Sequence, residues 1–160
     1  MRLKRFLPSL LLLVSYQTQA TTYYVNAAAS GTNTGLNWAN AFTDPQVALS
    51  IAIPGDEVWV AAGQYKPTAT TSRTVSFVLR NGVNVYGGFA GTETSLAQRD
   101  IASNPTVLNG DIGALGDNTD NSHNVVTANN ITTNIVLDGF RIMNGYSGSI
   151  YRGGGLSATN

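Results

Sequence analysis

A recurring turn is the feature that most restricts what this 160-residue chain can fold into. Three predicted strands end in an apolar residue, a polar or aromatic residue and a glycine, at Val85–Gly87, Leu108–Gly110 and Leu137–Gly139. The second interval between these glycines is the longer one, because it holds an inserted polar loop at 111–121. Both intervals fall within the spacing of roughly 20–50 residues that is typical of solenoids and propellers, in which each repeat buries its apolar face on the next. The turn therefore predicts a repetitive fold.

Short strands surround these turns. β-Branched, aromatic or alternating residues predict strands at 21–26, 57–61, 73–79, 83–85, 106–108, 125–127, 135–137 and 140–142. Asn-Gly pairs begin at Asn81, Asn109 and Asn144. They suit bends in which a residue has a positive φ. Asn-Gly is also the preferred turn of a β-hairpin, so a hairpin fold is the alternative. We favour successive coils, since the residues from Asp111 onward are not strand-like.

One short helix is predicted ahead of most of the strands. Thr43 can accept hydrogen bonds from the first-turn amides, and Asp44 and Pro45 suit the positions that follow. Val47, Ala48, Ile51 and Ala52 give the helix one apolar face, and Pro54–Asp56 ends it. The open end of a parallel coil exposes apolar surface and strand edges that must be covered. A helix at 43–52 can cover the first coil.

The start of the chain, Met1 to Ala20, has the layout of a secretory signal peptide. Arg2, Lys4 and Arg5 precede an apolar run at 6–14, and a polar stretch then ends in Ala20, after which we expect cleavage. The apolar run is far shorter than the roughly 20 residues that span a bilayer. We therefore expect a secreted or cell-surface protein without a transmembrane span.

Charge and composition exclude several partners and chemistries. After cleavage, six basic residues would face nine acidic ones, which argues against binding nucleic acid or anionic lipid. The chain contains no cysteine, so disulfide scaffolds, cysteine-ligated zinc sites and thiol enzymes are excluded.

Several segments resemble a known group of proteins. They are Tyr23–Asn26, Asn37–Phe42, Pro54–Gly63, Val85–Phe89 and Val136–Gly145. Together they resemble the N-terminal part of bacterial surface proteins with right-handed parallel β-helix repeats. These proteins belong to the pectin-lyase-like superfamily, and many come from Bacteroidota. The resemblance covers nearly all of 21–156.

The resemblance implies an all-β fold, a right-handed parallel β-helix solenoid with a short N-terminal capping α-helix. Residues 21–63 would form the N-terminal cap and residues 64–160 the coils. Gly153–Leu156 would open a further coil that nothing after it caps. Because solenoids need a cap at both ends, we expect this sequence to be the N-terminal portion of a longer protein.

Catalytic motifs are incomplete. Asn118–Asp120 matches the first short motif of β-helix glycoside hydrolases, which use paired carboxylates. The later motifs are missing, because His123 lies between Ser122 and Asn124, and Arg141-Ile142 is followed by methionine. We predict no catalytic residues here.

No metal or cofactor site is predicted either. The loop at 111–122 carries Asp111, Asp117 and Asp120, and hard cations favour such oxygens. Its spacing departs from the EF-hand loop, so a solvated loop of Asx turns is the favoured interpretation. His123 has no histidine or cysteine partner in the sequence, and the glycines at 87–88 and 153–155 lack the Lys-Ser/Thr of a phosphate loop.

Exposed aromatic residues could stack on sugars. The candidates are Tyr23, Tyr24, Trp38, Trp59, Tyr65, Tyr86 and Phe89. We expect Trp59, Phe77 and Phe140 to pack internally instead, and leave Tyr86 and Tyr146 open. The arginines at 73, 80, 99, 141 and 152 are scattered and are predicted to lie on the surface.

Two functions fit these observations. The first is an exported non-catalytic β-helix module that acts as a cell-surface or adhesion scaffold and contacts glycans or envelope proteins. The second is the N-terminal part of a polysaccharide lyase or glycoside hydrolase whose catalytic coils lie beyond residue 160. The sequence does not indicate an oligomeric state.

Overall fold

The computed structural model describes residues 19–148 and 154–159, and most of the predicted signal peptide lies outside them. The described residues form one α-helix, α1 (Pro45–Ile51), and short 3₁₀ turns at Trp38–Asn40, Leu96–Gln98 and Asn118–Asp120. They also form ten strands: β1 (Thr22–Val25), β2 (Glu57–Ala61), β3 (Gly63–Tyr65), β4 (Phe77–Val78), β5 (Asn84–Phe89), β6 (Thr106–Asn109), β7 (Val126–Asn129), β8 (Leu137–Asp138), β9 (Phe140–Met143) and β10 (Leu156–Thr159).

The strands are arranged in three parallel sheets. The strand orders are β1-β2-β5-β8, β3-β6-β9 and β4-β7-β10. From β2 onward the chain therefore visits the three sheets in the same order three times. Every strand pairing among the described residues is parallel, so the hairpin alternative is wrong.

The register corrects the repeat spacing expected from the sequence. Val85 pairs with Leu137, so the motifs that end in Gly87 and Gly139 are the equivalent ones, although Gly87 lies inside β5 and does not end a strand. Gly110 belongs to another sheet and lies against Asn144 instead. Gly87 and Gly139 therefore belong to one sheet and Gly110 to another. The intervals that separate Gly110 from the other two glycines do not measure the length of one repeat. The true spacing is irregular because polar loops of different length connect the strands.

The core lies between the sheets. Val58 and Val60 of β2 are fully buried, and Phe77, Val85 and Val126 join them from the other strands. Trp59 and Phe77 are buried as expected, although Trp59 packs against other aromatic rings on the outside of its sheet. Phe140 is only partly buried against the core.

Helix α1 is shorter than predicted and buries a different face. The Asp44 carboxylate caps it by accepting a hydrogen bond of 2.8 Å from Gln46 N, so Thr43 is not the cap. Ala48 and Leu49 are buried, whereas Val47 and Ile51 are 39% and 46% exposed. The buried stripe is Pro45, Ala48, Leu49 and Ala52, at the i, i+3, i+4 and i+7 spacing of one helix face. This stripe packs on the first strands.

Two strand predictions also need correction. The predicted strand at 73–79 is reduced to Phe77–Val78, because Val75 N donates to Ser72 O and closes a turn instead. The short strand β3 is not among the predicted strands. Among the described residues, no helix has the length and apolar character needed to cross a bilayer.

Candidate functional site

A groove of about 310 Å³ lies between the start of α1 and the segment that follows β3. It is termed the Lys66 groove here. Its polar lining comes from Thr43, Asp44, Gln64, Lys66 and Thr68. Ala27, Pro45, Tyr65 and Ala69 supply its less polar walls.

The pleat of β3 positions the groove side chains. Tyr65 points into the core, where its hydroxyl donates to Ala61 O at 3.1 Å and accepts from Ala27 N at 3.3 Å. Burial raises the pKa of Tyr65 above its ordinary value, so its hydroxyl stays protonated. Since alternate residues of a strand face opposite ways, Gln64 and Lys66 face outward.

Lys66 is the only charged donor in the groove lining. Its ammonium nitrogen lies 4.0 Å from Asp111 Oδ1, and the Lys66 side chain remains 38% exposed. Lys66 is also the single lysine after Lys4. The ion pair joins β3 to the loop after β6, and it leaves ammonium protons available to a ligand in the groove.

The groove is suited to binding more than to reaction. Its amide, hydroxyl and ammonium groups can hydrogen-bond a ligand rich in hydroxyl or carboxylate groups. The single carboxylate in the lining belongs to Asp44, which already caps α1. Within the described part of the chain, no three His, Cys, Asp or Glu side chains form a group that could hold a metal ion.

A second groove of about 420 Å³ lies near the end of α1. Arg80 and Asn81 contribute to its lining, with Pro54 and Asn130 opposite. Asn81 is already engaged, because its Oδ1 accepts from Thr132 N at 2.7 Å and its amide nitrogen donates to Asn130 O at 2.9 Å. This groove therefore offers fewer free polar groups than the Lys66 groove.

Most of the candidate sugar-stacking aromatics pack on one another. Trp59 stacks on Phe89 with ring centroids 4.8 Å apart, and Tyr24 meets the edges of Trp38 and Trp59. The ring centroids of Tyr23 and Phe42 lie 6.2 Å apart. The cluster holds the outside of the first sheet against the loop that follows β5.

Tyr86 is covered by a cation. The guanidinium carbon of Arg99 lies 5.1 Å from the centre of the Tyr86 ring. Arg99 also pairs with Asp138 at 2.5 Å and donates to Gly87 O at 3.2 Å. Its side chain is only 16% exposed, so Arg99 is more buried than the predicted surface position. It joins neighbouring strands β5 and β8.

Glu93 fixes the loop that covers the aromatic cluster. Its carboxylate accepts from the backbone amides of Ala90, Gly91 and Thr92, and its carbonyl accepts from Trp38 Nε1 at 2.8 Å. Burial alone would raise the pKa of Glu93, but these backbone hydrogen bonds outweigh it and hold the pKa below its ordinary value. Glu93 therefore acts as a structural carboxylate.

The remaining candidates are distributed around the loop at 111–122. Asn118–Asp120 forms a 3₁₀ turn, and Asp120 Oδ2 accepts from Ala114 N at 2.7 Å. His123 is half-buried at the loop edge, and its backbone amide donates to Arg73 O. Arg73 in turn donates to Asn121 O at 2.7 Å and lies 5.9 Å from the ring of the exposed Tyr146. Arg152 and Gly153 lie outside the described residues.

These features define an all-β protein of parallel sheets with a polar lateral groove. The family described as "Protein of unknown function (DUF1565)" matches residues 29–160, and the chain belongs to this family. No curated protein and no solved structure matches the chain.

Proposed function

We propose that the protein is an exported, non-catalytic parallel β-helix module of the cell surface that contacts glycans or envelope proteins. The observation that carries the proposal is the repeated order of the three parallel sheets, with a polar groove on their outer side. Such an arrangement gives a rigid lateral surface on which a long polymer can lie.

Four considerations support a right-handed β-helix with a helical cap. The chain passes through the three sheets in the same order on each coil, and the family is associated with parallel β-helix proteins. Crossovers between parallel strands of one sheet are right-handed in about 98% of cases, which favours a right-handed coil. Helix α1 packs against β1, β2 and β4, where it can cap the first coil.

Export rests on the signal-peptide layout of residues 1–20. In a bacterial host with a general secretion pathway, we expect the full chain to leave the cytoplasm and its mature form to begin at Thr21. Mass spectrometry of the N-terminal peptide in each cell fraction measures this. Replacing Ala20 with arginine should leave the uncleaved precursor, because the cleavage site requires a small residue.

Ala28→Arg is the matched control, since Ala28 is exposed and lies beyond the expected cleavage site. It should be cleaved normally. Finding the wild-type chain in the cytoplasm with Met1 intact would contradict the export proposal.

Glycan contact is expected in the Lys66 groove. On a panel of acidic and neutral polysaccharides, we expect the protein to bind an acidic polymer without cleaving it. Lys66→Ala should weaken this binding about tenfold, because a hydrogen bond to a charged group contributes about 1.5–3 kcal/mol. Affinity electrophoresis measures the binding. Reducing ends and unsaturated-product absorbance report cleavage.

Arg80→Ala is the control for charge, because it removes one cation from the second groove. It should leave the affinity within about twofold of the wild type. A larger loss in Arg80→Ala than in Lys66→Ala would reassign the site to the second groove. Cleavage of any polymer would contradict the non-catalytic proposal and favour a lyase or hydrolase.

A further inference from the structure

The loop between β6 and β7, residues 111–122, is termed the Asp111 loop. Its two ends lie together at a neck formed by Gly110 and Ser122. Ser122 N donates to Gly110 O at 2.9 Å, which brings the two ends of the loop together. Asp111 and Asn121 lie beside this hydrogen bond, and both are buried. The neck is further fixed by Tyr146 N, which donates to Ser122 O.

Both acidic side chains at the ends of the loop point toward its tip. Asp111 Oδ2 accepts from Gly116 N at 3.2 Å, and Asp120 Oδ2 accepts from Ala114 N at 2.7 Å. The two donors belong to the same short stretch of the loop. A β-carbon at Gly113 would overlap the Asp120 carboxylate, so the backbone there leaves room for that group alone. The Oδ2 atoms of the two carboxylates therefore bind backbone amides in the same short stretch of the loop.

Each of these carboxylates keeps one buried oxygen that accepts no hydrogen bond from the residues that the structure describes. The atoms are Asp111 Oδ1 and Asp120 Oδ1, and Asn121 Oδ1 and Ser122 Oγ share this condition. The side chain of Asp111 is 8% exposed, and Asn121 is 5% exposed. Buried polar oxygens without partners are uncommon in native proteins, and a bound ion is one accepted explanation.

We propose that the Asp111 loop binds a calcium ion through Asp111, Asp120 and Asn121. The four oxygens named above are hard donors of the kind that Ca²⁺ prefers. Ca²⁺ takes six to eight oxygens in flexible geometry, and waters and carbonyls can complete a set that the side chains begin. A loop of two carboxylates and an amide suits Ca²⁺ better than Zn²⁺, which favours nitrogen and sulfur.

The lysine beside the site does not satisfy the buried oxygen. Lys66 Nζ lies 4.0 Å from Asp111 Oδ1, beyond hydrogen-bond distance. Two cations, Lys66 and Arg73, face three loop carboxylates, Asp111, Asp117 and Asp120, so the loop keeps a net negative charge that a cation would neutralise. The site lies beside the Lys66 groove but does not depend on glycan binding there.

Titration of the full-length protein with CaCl₂ by calorimetry, after dialysis against a chelator, tests the proposal. We expect one ion per chain, with a dissociation constant in the 10⁻⁴–10⁻³ M range of extracellular calcium modules. Thermal denaturation in 10 mM CaCl₂ and in EDTA is the second measurement. Calcium should raise the midpoint by a few degrees, because it binds the folded state.

Asp120→Asn and Asp111→Asn should each weaken calcium binding at least about tenfold, because each removes a charged ligand. Their midpoints in EDTA report whether they still fold. Asp117→Asn is the matched control, since Asp117 is exposed and its Oδ1 accepts from the amide and hydroxyl of Thr119. It should bind calcium like the wild type.

Three results would overturn the proposal. The first is no heat and no midpoint shift for the wild type in 10 mM CaCl₂. The second is unchanged binding in folded Asp111→Asn and Asp120→Asn. The third is an equal loss in Asp117→Asn, which would indicate nonspecific attraction to loop charge.

Discussion

Replacing Phe77 with alanine should lower the free energy of unfolding by about 3–5 kcal/mol, the usual cost of removing a buried phenylalanine. The side chain of Phe77 is 1% exposed and lies in β4, which pairs with β7 and contributes to the core shared by all three sheets. The substitution leaves a cavity that strands fixed in parallel register cannot readily close. Urea denaturation, followed by circular dichroism, measures the change.

Val78→Ala is the matched control because Val78 is the next residue of the same strand. Its side chain is 40% exposed on the opposite side of the sheet. The expected loss is less than about 1 kcal/mol. Equal effects for the two variants would show that β4 does not separate an inner from an outer face, and the core described above would be wrong.

The sequence predicts the repeated strands of this fold, but it does not predict the number of residues between equivalent positions of paired strands. Short strands and glycine turns repeat along the chain, and the three parallel sheets agree with that pattern. The register does not follow from the turns, because Gly87 and Gly110 share a motif but lie in different sheets. Parallel strands joined by loops of different length have no fixed period along the sequence, so their pairing partners depend on the packing of distant residues.

The sequence predicts helix α1 only in part. The Asp-Pro pair indicates that a helix begins there, but it does not indicate which face of the helix is buried. Val47 and Ile51 are larger and more apolar than Ala48, yet they are exposed. The buried face is the one that packs on β1, β2 and β4, and hydrophobicity along the helix does not reveal which face those strands will cover.

The candidate sites depend on contacts that local sequence could not predict. Lys66 and Asp111 are distant in the sequence and meet only because β3 pairs with β6. The sequence did identify the Asp111 loop as rich in oxygen ligands. It could not show that the loop closes at Gly110 and Ser122 or that one oxygen of each carboxylate is buried without a hydrogen bond from the described residues.

Replacing Gly139 with alanine should destabilise the protein by about 2–5 kcal/mol, the sum of a backbone and a packing contribution. Gly139 has a φ of +82°, where an alanine costs about 1–2 kcal/mol. Its missing β-carbon would also lie 2.5 Å from the carbonyl oxygen of Gly87 in the neighbouring strand β5. Relief of that overlap requires the two backbone segments to separate, which adds about 1–3 kcal/mol.

Gly116→Ala separates the two contributions. Gly116 has nearly the same φ, +83°, but no atom lies within 4 Å of the place its β-carbon would take. Its substitution should therefore cost only the backbone penalty of about 1–2 kcal/mol. The difference between the two variants in urea denaturation measures how closely the two backbone segments approach at Gly87 and Gly139. A difference near zero would mean that backbone conformation alone explains both glycines, and the close packing of Gly87 on Gly139 would have to be abandoned.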